Sequence, residues 1–152
     1  MKLTYAHVPL SSFVQELGGL LSEHYDELCV TKDFPLAPDY EAYDRLEKAG
    51  ILCCVTVRSD DILVGYAIFI VQPHLHYRTC LTAFEDIYFL KKEYRLGRVG
   101  IRLFQYAEGV LKQFGVNRII MHTKIHSDNS SLFEYLGYQQ TDKVFTKLLT
   151  SE

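Results

Sequence analysis

Apolar residues along the chain keep two different spacings. Lys2–His7, Ile51–Arg58, Ile62–Gln72 and Thr79–Leu90 are stretches rich in Val, Ile, Tyr and Phe, and they predict strands. Ile62–Gln72 (ILVGYAIFIVQ) is apolar almost throughout, which predicts a strand covered on both faces. Elsewhere the period lengthens. Phe13, Leu17, Leu20 and Leu21 recur at helical steps, with Ser11 and Ser12 as candidate N-caps and Gly18–Gly19 as a weak point. Pro35 and Pro38 predict a loop over Lys32–Asp39, followed by a helix over Tyr40–Ala49 that Gly50 ends. Ile101, Phe104, Ala107, Leu111 and Phe114 step by three and four, widened by Leu103 and Val110, so Gly100–Phe114 reads as a long amphipathic helix.

The remaining segments complete the order. Ser59-Asp60-Asp61 is a turn, Pro73–Arg78 a loop, Asn117–Thr123 a strand, Ser130–Leu136 a short helix closed by Gly137, and Tyr138–Leu149 a final strand. This alternation predicts a single α/β (α+β) domain over residues 1–152, with a strand–helix–strand unit in its second half. The expected sheet is mixed, mostly antiparallel and twisted, with helices flanking it.

Composition narrows the function classes. A chain of 152 residues, 48% hydrophobic and 23% charged, has the profile of one ordinary soluble domain. Its net charge of −3 argues against a dedicated nucleic-acid binder. No apolar run approaches the roughly 20 residues that span a bilayer, and MKLTYAHVPL has no apolar segment of export-signal length. A cytoplasmic protein with no membrane partner is expected. Cys29, Cys53, Cys54 and Cys80 form no C-x-x-C pair, and neighbours such as Cys53 and Cys54 point to opposite faces of a strand. They read as reduced core residues. His74 and His76 lack an evident third ligand, so no metal is expected.

The segment Ile87–Leu103 (IYFLKKEYRLGRVGIRL) carries the candidate chemistry. A strand ends, a basic loop with Gly97 and Gly100 follows, and an amphipathic helix begins. Helix-start amides lack internal acceptors and can point at an anion, helped by the helix dipole. Glycines let the backbone approach closely, while Arg95, Arg98 and Arg102 add positive charge. A dinucleotide fold is a poor match, because G-x-G-x-x-G after a first strand and an acid about 20 residues later are missing. A P-loop is excluded by the lack of G-K-[S/T].

Y-R-L-G-R-V-G-I-R-L resembles the acetyl-coenzyme A loop of the GCN5-related N-acetyltransferases, R/Q-x-x-G-x-G/A. Arg95 fills its first position and Gly100 its last. The fourth position holds Arg98, with Gly97 one place earlier. Phe84–Leu90 resembles the strand whose backbone meets the pantetheine arm, and S-L-F-E-Y-L-G-Y at Ser131–Tyr138 resembles the family's L-Y-E-K-L-G-F. H-T-K, D-x-S-x-L, L-G-Y and the terminal V-F-T-K-L-L are most similar to small acetyltransferases encoded by bacteriophages. The resemblance implies an N-acetyltransferase using acetyl-coenzyme A. The implied cofactor contacts are Phe89, Leu90, Arg95, Leu96, Gly97, Arg98, Val99, Gly100, Ile101, Ser130 and Phe133. It further implies that Thr79–Leu90 and Asn117–Thr123 run parallel and part midway, and that a homodimer is common for the fold.

Acetyl transfer to an amine needs a base, a polarised carbonyl and a protonated leaving thiolate. The nearest acids, Glu85 and Asp86, occupy opposite faces of a strand, so one of them at most faces the cleft. Glu85 resembles the family's base. His122 in I-I-M-H-T-K is the second candidate, and its apolar neighbours predict burial. Phe133 stands where many relatives place the tyrosine near the departing sulfur. The expected acceptor is a primary amine, a small molecule or a protein lysine. The alternative is a catalytically weak protein that uses the same fold to engage a macromolecular partner.

Overall fold

The computed structural model describes residues 1–29 and 33–149; Lys32, the first residue of the predicted loop, lies outside them. Strands β1 (Leu3–His7), β2 (Leu52–Ser59), β3 (Ile62–His74), β4 (Tyr77–Leu90) and β5 (Arg118–Ile120) form one sheet in sequence order. The first four strands pair antiparallel, and β5 runs parallel to β4. Helices α1 (Val14–Leu28) and α2 (Tyr40–Lys48) cover one face. Helices α3 (Val99–Gln113) and α4 (Ser130–Tyr135) cover the other.

Burial on both faces explains the apolar run in β3. Ala67, Phe69 and Val71 pack with α3, while Tyr66 and Ile68 pack with α1. The thiols of β2 divide the same way, Cys53 toward α3 and Cys54 toward α1. Both are free, and burial raises both above the ordinary thiol value, Cys53 to about 12.

Helix α1 begins one residue after the buried Phe13, not at a serine cap. Ser11 and Ser12 lie in a 3-10 turn, where the Ser12 hydroxyl donates to the Pro9 carbonyl (2.7 Å). The helix runs unbroken through Gly18–Gly19 because Leu17, Leu20 and Leu21 anchor it in the core. Side chains then fasten it to the sheet. Glu16 takes both guanidinium nitrogens of Arg58 (2.7 and 2.8 Å), and His24 Nδ1 contacts the Tyr66 hydroxyl (2.8 Å). Helix α2 has the predicted start, with the Asp39 carboxylate accepting from the Ala42 amide (2.9 Å). In α3 the buried stripe is Val99, Leu103, Phe104, Ala107, Val110 and Leu111, while Phe114 at its C-terminal boundary meets the His7 ring edge-on (5.4 Å).

Three predicted boundaries shift. The Pro73–Arg78 loop shrinks to Leu75–His76, because β3 extends to His74 and β4 starts at Tyr77. Strand β2 ends opposite Ile70, so Pro73 has no β2 neighbour and its missing amide costs no ladder bond. The Asn117–Thr123 strand is paired only over Arg118–Ile120. Tyr138–Leu149 forms no strand: it is extended and exposed, with Thr146–Leu148 at the mouth of a cleft beside α1. Strand propensity there is overridden because the segment lies against no sheet edge.

Gly65 marks a close approach. A Cβ at this position would lie 2.8 Å from the Phe89 carbonyl oxygen and 2.9 Å from Val57 Cγ1. Gly65→Ala is therefore expected to destabilise the fold by about 1–3 kcal/mol in denaturant unfolding.

Burial beneath α1 also lowers the His24 pKa from 6.5 to about 4. Between those values the unfolded chain binds a proton that the folded chain excludes, so stability falls as pH drops from 6.5 toward 4. The histidine's share between pH 7 and pH 5 is about 2 kcal/mol. Unfolding at the two pH values should show it as a loss that shrinks by that amount in His24→Gln.

Candidate active site

Strand β4 determines the site. Ile68 pairs with Ile87 and Phe69 with Glu85, so Asp86 is an extra residue with no partner on β3. The bulge turns neighbouring acids apart. Asp86 accepts from the Tyr43 hydroxyl on the α2 side, whereas Glu85 meets His122 beyond β5. The β4–β5 ladder ends at Phe84–Ile120, and β4 continues from Glu85 to Leu90 without a strand on that edge. Backbone groups there face an open gap.

The structure brings the two candidate bases together. Glu85 Oε2 lies 3.1 Å from His122 Nδ1 and accepts from the His122 amide at 3.3 Å. The Glu85 side chain is only 9% exposed, and His122, predicted to be buried, is 52% exposed. His122 leaves the core because its strand has already parted from β4. Burial raises the Glu85 pKa, and the hydrogen bond and charge of His122 oppose that rise. With Nδ1–H donated to Glu85, Nε2 carries the free lone pair.

A second layer holds this pair in place. The Tyr88 hydroxyl donates to the His122 carbonyl (2.8 Å) and accepts from Asn129 Nδ2 (3.1 Å). The Tyr88 ring packs edge-on against Phe104 and Phe133, at centroid distances of 5.3 and 5.8 Å. Phe133 is buried and apolar on all these contacts, and it also meets Tyr138 at 5.7 Å. Neither Tyr88 nor Tyr43 was singled out as functional in the sequence, because the bulge that aims the first and the packing of α2 that aims the second leave no pattern in the chain.

The loop after β4 ends at an uncapped helix. Arg98 is the N-cap of α3 and supplies no side-chain cap bond, so the amides of Val99, Gly100 and Ile101 keep their outward capacity. Gly97 has φ +80, a conformation that favours glycine, and turns the chain into the helix. Leu96 and Arg98 are exposed, Val99 is buried, and Ile101 is half-buried. Among the described residues these outward amides and the nearby arginines fit a diphosphate. Arg95 is used differently: its Nε donates to the Leu90 carbonyl (2.7 Å) and its other nitrogens grip Glu27 of α1. Phe89 is buried beneath it, 5.3 Å from the guanidinium. Ser130 sits at the start of α4, where its amide donates to Asp128 (2.9 Å). His74 and His76 lie at the far β3–β4 turn, with the His76 amide on His74 Nδ1 (3.1 Å).

A gap between parted parallel strands, with an anion-receptive helix start beside it and an imidazole at its apex, suits transfer of an acyl group from a diphosphate-bearing carrier. Comparison with known proteins specifies the class. The Acetyltransferase (GNAT) family model matches residues 19–138, and the chain belongs to that family of acetyl-coenzyme A-dependent N-acetyltransferases. No curated protein matches the chain. Among solved structures it is similar to a ribosomal-protein-alanine N-acetyltransferase from Brucella melitensis biovar Abortus 2308, at 15% identity and TM-score 0.76, covering 99% of this chain and 100% of that one. A predicted acetyltransferase with acetyl-CoA from Clostridium acetobutylicum aligns at 10% identity and TM-score 0.72, covering 97% and 96%. Glucosamine-6-phosphate N-acetyltransferase from Arabidopsis thaliana aligns at 12% and 0.69, covering 99% and 100%. At these identities the structures establish the shared fold.

A Cβ at Gly100 would lie 3.9 Å from Leu90 and Leu132, an ordinary contact. Gly100→Glu should therefore fold, yet place a carboxylate among the amides of the first turn of α3. Calorimetric titration with acetyl-coenzyme A is expected to show affinity at least tenfold weaker, about 1.4 kcal/mol, with an unchanged melting temperature.

Proposed function

We propose that the chain acetylates a primary amine, carried by a small molecule or a protein lysine, with His122 as base and Glu85 as the group that orients it. The observation carrying this reading is the 3.1 Å contact between Glu85 and His122 at the point where β4 and β5 part. An amine attacks only when its nitrogen lone pair is free, so the reaction needs a group to remove its proton. His122 Nε2 takes that proton, and the buried Glu85 carboxylate stabilises the imidazolium that forms.

Bound acetyl-coenzyme A supplies the acetyl thioester. Unpaired backbone amides along Glu85–Leu90 provide donors in the gap for the carbonyl oxygen, placed before the reaction and fixed by the sheet. The new N–C amide bond replaces the C–S bond, and the amine proton leaves through His122. Phe133 cannot protonate the departing thiolate, so on this reading that proton comes from water or from the protonated base.

Glu85→Gln and His122→Ala should each lower kcat by about 10²–10³ in a coupled thiol-release assay. Acetyl-coenzyme A affinity should stay within twofold of the native value. If both variants turn over at the native rate, His122 is not the base.

A further inference from the structure

Between α1, α2 and β4 lies a cleft of about 680 Å³, inside the roughly 300–1,000 Å³ range of small-molecule sites. Leu17 and Leu21 of α1 form one wall, Phe34 and Leu36 the opposite lip, and Ile87 of β4 the floor. Tyr43 closes the inner end, and its hydroxyl donates to Asp86, the residue that the bulge turns to this side. The other carboxylates differ in their availability. Asp39 is engaged as the N-cap of α2, and Asp33 stands exposed at the rim. Lys147 lies at the mouth on the tail side.

This arrangement discriminates among amines. Its walls are hydrocarbon and aromatic, and its inner carboxylate, Asp86, sits one residue from Glu85 of the proposed base pair. A polyhydroxylated aminosugar would bury hydroxyls against Leu17, Leu21 and Ile87, where they find no partners, at about 1–3 kcal/mol each. A polyamine would place a second cation on the same apolar wall. An amine with one charged end and a hydrocarbon body matches both parts of the cleft.

Building on the transferase reading, we infer that the acceptor is a small primary amine on an apolar body, of the arylalkylamine type, with its hydrocarbon against Leu21, Phe34 and Ile87 and its ammonium toward Asp86. Phe34 is 70% exposed, so its truncation tests the cleft without emptying the core.

The test compares 2-phenylethylamine, spermidine and glucosamine as acceptors, with acetyl-coenzyme A binding measured separately. The inference expects kcat/KM for 2-phenylethylamine at least tenfold above the other two. Phe34→Ser should raise KM for 2-phenylethylamine about tenfold, with kcat and cofactor affinity little changed. Asp86→Asn should also raise that KM. Faster transfer to spermidine or glucosamine would overturn the apolar acceptor and leave the transferase reading intact. Transfer to none of the three with normal cofactor binding would do the same and direct the search to protein lysines. Loss of both cofactor binding and transfer would overturn both readings.

Discussion

Strands β4 and β5 stay hydrogen-bonded for three residue pairs and then separate, and the site is built around that separation. A parallel ladder that ran on would pair the β4 backbone through Leu90 and leave no gap for an acyl chain. Two local features keep it short. The extra residue Asp86 kinks β4, and Glu85 receives the amide and ring of His122 just after β5 ends. A side chain thus replaces a strand neighbour. Burying Glu85 unpaired would cost several kcal/mol, so the contact with His122 that shapes the site also keeps the carboxylate tolerable.

Helix α1 ties the two ends of the site together. It walls the cleft with Leu17 and Leu21, and through Glu27 it holds Arg95 at the start of the α3 loop. Arg95 lowers the Glu27 pKa through its hydrogen bond, although both side chains keep about a third of their surface exposed. Solvent screening leaves such a pair about 1 kcal/mol. Its importance lies in position. The same guanidinium holds the Leu90 carbonyl and lies over Phe89, so strand end, loop and helix share one anchor.

Much of this was legible in the chain. The three-and-four spacing of α3, the apolar run of β3 and the Asp39–Gly50 limits of α2 follow from burial and capping, which act over a few residues. The strand–loop–helix around Gly97 and Gly100 was legible for the same reason. Features set by distant partners were not. Nothing near His122 signals that its strand ends two residues earlier, and nothing in V-F-T-K-L-L shows that these residues miss a sheet edge. Arg95 was read as a phosphate ligand, but its partner Glu27 is far away in sequence and only the folded chain brings them together.

The bulge at Asp86 makes the same point more sharply. Alternation along a regular strand puts Glu85 and Asp86 on opposite faces, and that much held. It also puts Ile87 back on the Glu85 face, whereas the structure places it beside Asp86, in the α1 cluster. One inserted residue therefore supplies a carboxylate to each side of the sheet: Glu85 beside the imidazole, Asp86 beside the cleft. It also restores Tyr88 to the α3 face, where its hydroxyl supports His122. Without the bulge, Tyr88 would point at α1 and the His122 carbonyl would lose its donor. The irregularity in the central antiparallel pair thus fixes both the proton-accepting pair and the inner end of the cleft.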